Sequence, residues 1–170
     1  MRPAFRVGAL LNQTAEAARE EAVALASKSD VAVVVVGTNG DWESEGYDRK
    51  DINIPGESNA LVEAVLKANP RTIVVTQSGM PLAMPWVDSA PTLVQAMFGG
   101  NEVGNGLADV LFGKVAPSGK LPMTFPCVIS RAAHTSKELT GVQSPLRGQP
   151  RVQQLRHYHS VAWQGHLRRG

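Results

Sequence analysis

VAVVVVG at residues 31–37, running into the loop TNGDWESEGYDRKDINIPG at residues 38–56, decides the fold. A run of β-branched residues with no polar alternation predicts a strand buried on both faces, the signature of a parallel sheet. Helical segments flank that strand. In TAEAAREEAVALASK, residues 14–28, small apolar residues recur at helical spacing. Thr14 can cap this helix, Glu16, Glu20 and Glu21 lie toward its positive end, and Lys28 sits at the other. A second helix is predicted over residues 58–69, with Leu61, Val62, Val65 and Leu66 as one apolar stripe and Pro70 as its stop, and TIVVTQSG, residues 72–79, follows as the next strand. A third strand is expected at residues 93–97, then a helix opening near Asn105, and GKLPMTFP, residues 119–126, is the last regular piece. Strands alternating with helices imply crossover connections in a mainly parallel sheet, so the fold class is α/β.

In such sheets ligands bind beyond the carboxyl ends of the strands. The loop after residue 37 occupies that place, and its length of roughly 18 residues exceeds the usual strand-to-helix connection of about 2–6. Between Asp41 and Asp51 it holds five carboxylates, two aromatics and two cations. Crowded carboxylates raise one another's pKa, which a general acid working near neutral pH requires. Trp42 and Tyr47 offer flat apolar faces of the kind on which sugar rings stack, and Gly46 lets the backbone turn after Glu45. The competing reading is a solvated loop whose charges pair locally, Arg49 and Lys50 against Asp48 and Asp51.

Other chemistries fit less well. GTNGDW lacks the G-x-G-x-x-G spacing of a dinucleotide site and leads into acidic residues that would repel a pyrophosphate. Around Ser78 the sequence TQSGM lacks the glycines of a nucleophile elbow, which leaves Ser78 and Gly79 as a tight turn. Cys127 is the single cysteine, so no internal disulfide or cysteine cluster for zinc is available. No stretch approaches the roughly 20 apolar residues of a membrane span, nor does the N-terminal stretch hold the apolar run of a signal peptide. Membrane insertion and export are therefore not expected of this sequence as written, and localisation is left open.

The net charge of +2 conceals two kinds of sequence. Residues 1–126 hold 10 Lys and Arg against 14 Asp and Glu, whereas residues 127–170 hold 7 cations against Glu138 alone. All four histidines, His134, His157, His159 and His166, lie in that basic tail, which shows no helix or strand period and reads as disordered. Its cations are dispersed and lack a stacking platform, so nucleic acid is not an expected partner.

SEGYDRKDINIPG, ANPRTIVVTQSGMPLAMPW and FGGNEVGNGLADVLFGKVAPSGKLPMTFP, in that order and spacing, resemble the C-terminal α/β sandwich domain of glycoside hydrolase family 3 β-glucosidases. The resemblance runs from about Phe5 to Pro126 and is to the type that carries a PA14 insertion ahead of this segment. It implies a three-layer α/β/α sandwich with a mainly parallel sheet, incomplete here because the domain's first strand, ahead of the Thr14 helix, is lacking. The domain organisation it implies is a remnant of the preceding segment over residues 1–13, the sandwich domain over 14–126, and an aberrant basic tail over 127–170, as a frame shift, a retained intron or a mispredicted gene end would produce.

The implied activity is retaining hydrolysis of terminal β-D-glucosyl residues from a β-glucoside or cello-oligosaccharide, without metal or cofactor. Family members use an aspartate nucleophile on a preceding (β/α) barrel and a glutamate acid/base on a loop of the sandwich domain, which the E-G-Y-D-R motif places at Glu45. A retaining pair stands roughly 5–5.5 Å apart, so the loop must reach across a domain boundary. Asp48 and Arg49 are expected to orient the loop by pairing, and Trp42 and Tyr47 to line the aglycone side. The barrel and its nucleophile are not in this sequence, which makes the chain a fragment expected to be inactive alone. The alternative is a non-catalytic α/β module that binds a sugar or a partner.

Overall fold

A computed structural model describes residues 14–123, 125, 159 and 160. Helix α1, Ala15–Ser27, begins where expected, with Thr14 Oγ1 accepting from the Ala17 backbone N–H at 3.2 Å. Strand β1, Ala32–Gly37, helix α2, Ser58–Ala68, and strand β2, Thr72–Gln77, follow in order. Strand β3, Thr92–Gln95, and helix α3, Val103–Leu111, complete the main body, and a short 3-10 turn at Gly100–Glu102 precedes α3.

β1 pairs with β2 and β2 with β3, all parallel, with Val34 opposite Val74 and Val75 opposite Val94. Helices cover both faces. On one, Val62 and Val65 of α2 and Ala26 of α1 pack with Val34, Val36, Val74 and Leu93. On the other, Leu107, Val110 and Leu111 of α3 lie against Ile73, Val75, Val94 and Ala96. The three-layer sandwich with a parallel sheet is thus present.

Buried polar groups are placed where the layers meet. Asn69, at the end of α2, donates from Nδ2 to the carbonyls of Ala26 and Ser29 at 2.9 and 2.8 Å, while its Oδ1 accepts from the Arg71 backbone N–H. One side chain thereby fixes both helix ends against the start of β2, and each of its buried atoms is satisfied. Trp86, also buried, donates from Nε1 to Asn59 Oδ1 at 2.8 Å.

Two expectations need correction. β1 is buried on one face only: Val33 and Val35 are 48% and 54% exposed. The physical reason is that α3 covers β2 and β3 and stops short of β1, which lies at the edge of the described sheet. A cleft of about 530 Å³ opens beside β1, bounded by Ala18, Ala22 and Leu25 of α1. The expected regular piece at residues 119–126 forms neither helix nor strand among its described residues, although Phe125 is buried in the core. The expectation of a disordered tail over residues 127–170 lies almost wholly outside the described residues. Of that segment, His159–Ser160 is described as a two-residue strand β4 paired in parallel with Val94 and Gln95 of β3.

At the end of β1 the strands approach unusually closely. A Cβ on Gly37 would stand 1.9 Å from the Gln77 carbonyl oxygen, and that same carbonyl accepts the Thr38 N–H at 3.0 Å. Gly37→Ala is therefore expected to force the ends of β1 and β2 apart. The expected cost is roughly 1–3 kcal/mol or more, read as a lower urea midpoint. An unchanged midpoint would show that the two strand ends are free to separate.

Candidate active site at the strand ends

The loops after β1, β2 and β3 meet at the carboxyl ends of the strands, and a buried polar network underlies them. Thr76 donates its hydroxyl to Gln95 Oε1 across β2 and β3. Gln95 Nε2 in turn points to the Ser78 carbonyl and hydroxyl, both at 3.2 Å, and to Met97 Sδ at 3.3 Å. Ser78 Oγ donates to the Met80 carbonyl at 2.7 Å. Thr76, Ser78 and Gln95 are all buried, so these bonds form in a low-dielectric interior where an unmade partner is costly. Met97 adopts φ 50°, a left-handed conformation that a non-glycine residue holds only when its surroundings enforce it.

Upon this base sits the acidic loop. Asn39 starts it by accepting the backbone N–H groups of Trp42 and Glu43 at its carbonyl, each at 3.0 Å, and that of Asp41 at Oδ1. Glu43 turns inward: its carboxylate accepts from the Thr38 hydroxyl and, at 2.9 Å, from the Gly79 backbone N–H. The next four residues, Ser44 to Tyr47, make a tight turn closed by an antiparallel bridge between Ser44 and Tyr47. Glu45 stands at the tip of that turn and is exposed. The loop is fastened again further on, where Asn53 bridges to Ala83, the Ala83 N–H donates to the Ile52 carbonyl at 2.8 Å, and Ile54 enters the core.

The structure brings some expected residues together and separates others. Trp42 is half exposed and Tyr47 is 83% exposed, so neither ring is buried in the loop. The expected pairing of Asp48 with Arg49 is not formed. Arg49 Nη2 donates to the Asn53 carbonyl at 2.7 Å, its Nη1 is buried without a partner among the described residues, and Asp48 is exposed. A backbone carbonyl four residues on sits within reach of the guanidinium, and it ties the far side of the turn to the fastened segment. The loop's carboxylates are also dispersed among separate partners: Asp41 with Asn39, Glu43 with Thr38 and Gly79, Asp51 with the Asn53 N–H. Gly46 has open space around it and no left-handed φ, so the turn does not require glycine there.

Among the described residues no group of three or more histidine, cysteine or acidic side chains is placed to hold a metal. Nor is any described helix long and apolar enough to cross a membrane. Sequence reasoning missed Glu43 as an anchor and the Thr76, Ser78, Gln95 network. The network had a signal, since Thr76 and Gln95 each close an apolar run, residues 73–75 and 93–94. Glu43 had none, because Thr38 and Gly79 reach it only through the fold.

Comparison with known proteins places the chain in a family. Residues 5–160 match the glycosyl hydrolase family 3 C-terminal domain. The chain is 52% identical over 122 residues to the probable β-glucosidase I of Emericella nidulans, covering 72% of this chain and 14% of that protein. It is 55% identical over 105 residues to a β-glucosidase of Kluyveromyces marxianus, covering 62% of this chain and 12% of that protein. The crystal structure of the Kluyveromyces marxianus β-glucosidase in complex with glucose superposes with a TM-score of 0.66 at 50% identity, over 68% of this chain and 14% of that one. DesR, a β-glucosidase from Streptomyces venezuelae crystallised with D-glucose, gives 0.61 at 36% identity over 66% and 14%. The chain thus spans about one seventh of the length of these relatives.

Proposed function

Since the chain belongs to the glycosyl hydrolase family 3 C-terminal domain family, we propose that it carries the acid/base half of a retaining β-glucosidase site, with Glu45 as the proton donor and acceptor. One observation carries the reading: Glu45 is displayed at the tip of a tight turn, on a loop fastened before and after it, at the carboxyl ends of the strands. A carboxyl so placed can extend away from its own domain while its base stays fixed, which catalysis shared across a domain boundary requires.

The attacking carboxylate comes from a barrel domain outside these 170 residues, standing roughly 5–5.5 Å from Glu45 when the domains are joined. In the first step the Glu45 carboxyl gives its proton to the glycosidic oxygen as the bond to the anomeric carbon breaks and the nucleophile's oxygen attaches to that carbon. In the second, the Glu45 carboxylate takes a proton from water as the water oxygen displaces the nucleophile. Each step inverts the anomeric carbon, so the two together retain its configuration. Trp42 and Tyr47 flank the donor on the side where the leaving group departs. Arg49, through the Asn53 carbonyl, holds the far strand of the turn. Neither step calls for a metal or cofactor, and the substrate class is a terminal, non-reducing β-D-glucoside.

The test joins the domain to a barrel. A chimera in which residues 14–123 replace the matching segment of the Kluyveromyces marxianus β-glucosidase is expected to hydrolyse an aryl β-glucoside and to release β-glucose first, as followed by proton NMR. The 170-residue chain alone is expected to leave the glucoside intact. Hydrolysis by the chain alone, or release of the α-anomer by the chimera, would contradict the proposal. A chimera that folds and binds glucose without turnover would instead favour a non-catalytic sugar-binding module.

A further inference from the structure

We infer that Glu43 is a positioning residue for Glu45, its carboxylate acting as a strut that locks the loop to the ends of β1 and β2; the inference rests on the acid/base reading of Glu45. Glu43 lies two residues before the turn tip, yet its side chain faces the opposite way. One carboxylate oxygen accepts from the Thr38 hydroxyl, just past β1, and the other from the Gly79 N–H, just past β2. Both bonds are charge-assisted, which makes them stronger than neutral ones. Gly79 is itself held by its neighbour Ser78, which is buried and bonded to Gln95 of β3. The path from the sheet interior to the loop is therefore continuous: Gln95, Ser78, Gly79, Glu43, then the turn bearing Glu45.

Apart from the Thr38 N–H on the Gln77 carbonyl and the Asn39 turn at its start, the front half of the loop has no other tie of this kind among the described residues. Ser44, Glu45, Tyr47 and Asp48 are exposed, and the next attachment is at Arg49. Without the Glu43 carboxylate, the turn would hinge between the Asn39 turn and the Arg49 attachment. A general acid displaced by about 1 Å loses much of its effect, so a strut two residues away sets the efficiency of proton transfer.

Gly79 provides a variant that evicts the carboxylate without touching Glu43. A Cβ there would meet Glu43 Oε2 at 2.7 Å and the Phe98 ring at 3.3 Å. The first neighbour is the free end of a flexible side chain, and Gly79 has no left-handed φ. Gly79→Ala is thus expected to fold and to push the carboxylate out.

The first measurement uses the 170-residue chain and no activity. By amide hydrogen exchange, Glu43→Ala and Gly79→Ala are both expected to speed exchange across residues 41–48 by about tenfold or more, with Glu43→Gln between them and the wild type because it keeps one acceptor. Exchange in β2 should stay as it is. Unchanged loop exchange in both variants would overturn the strut.

The second uses the chimera. Loosening the acid is expected to lower kcat for a poor leaving group more than for dinitrophenolate, at nearly constant KM, and azide should give no rescue because Glu45 is still present. A merely structural role would lower both substrates in the same ratio as the folded fraction, and that outcome would overturn the positioning role. Should Glu43→Ala be rescued by azide while Glu45→Ala is not, Glu43 would be the acid/base itself, and the reading of Glu45 would fall with the strut. If loop exchange is unchanged but Glu45→Ala is rescued, the strut alone fails.

Discussion

In the chimera, Glu45→Ala is expected to lower kcat/KM for an alkyl β-glucoside by about 10²–10⁴-fold, the span that general acid catalysis contributes. The 2,4-dinitrophenyl β-glucoside is expected to change far less. The two substrates differ in whether the departing oxygen needs a proton. An alkoxide is too basic to leave unprotonated, whereas dinitrophenolate leaves as the anion. Since kcat/KM reports only the first chemical step, this contrast isolates the donor role from the later role as base. Glu45 is exposed at the tip of the Ser44 to Tyr47 turn, so its replacement removes no core packing. Asp48→Asn is expected to do less, because Asp48 is exposed and has no described partner in the loop. Equal losses on both leaving groups for Glu45→Ala would indicate damage to binding or folding in place of a lost proton donor.

Val74→Asp is expected to abolish soluble expression. Val74 is fully buried in β2, directly opposite Val34 of the edge strand β1, with the α2 stripe packed over it. An unpaired charge there costs several kcal/mol, a large part of what holds a small domain together. Val34→Asp is expected to behave alike. Val35→Asp provides the contrast, because that side chain is 54% exposed on the face α3 does not reach. Soluble Val74→Asp with a native circular dichroism spectrum would refute the packing, and equal damage from Val35→Asp would mean that the outer face of β1 is covered.

The parallel sheet was legible because its strands are written in β-branched residues and its helices carry caps and stripes. Thr14, Val62 and Val65 all act as the local pattern implies. What local pattern could not supply was the extent of covering. Val33 and Val35 look identical to Val34 and Val36 in sequence, and only the position of α3 separates them. The site was legible as a place, since loop length and composition mark it. Its internal wiring was not. Arg49 next to Asp48 suggests an ion pair, but the folded loop turns the guanidinium to the Asn53 carbonyl. Glu43 and Glu45 are chemically equivalent on paper, and one becomes an anchor because Gly79, 36 residues away, arrives beneath it.

Product analysis of the chimera in the presence of azide tests the central claim most directly. With Glu45→Ala the glucosyl-enzyme lacks a base to activate water, so azide, which needs none, should restore turnover of the dinitrophenyl glucoside and yield β-glucosyl azide, identified by NMR. The wild-type chimera should give glucose alone. An absence of glucosyl azide from Glu45→Ala, or its appearance from Glu43→Ala in its place, would contradict the assignment of Glu45 as the acid/base.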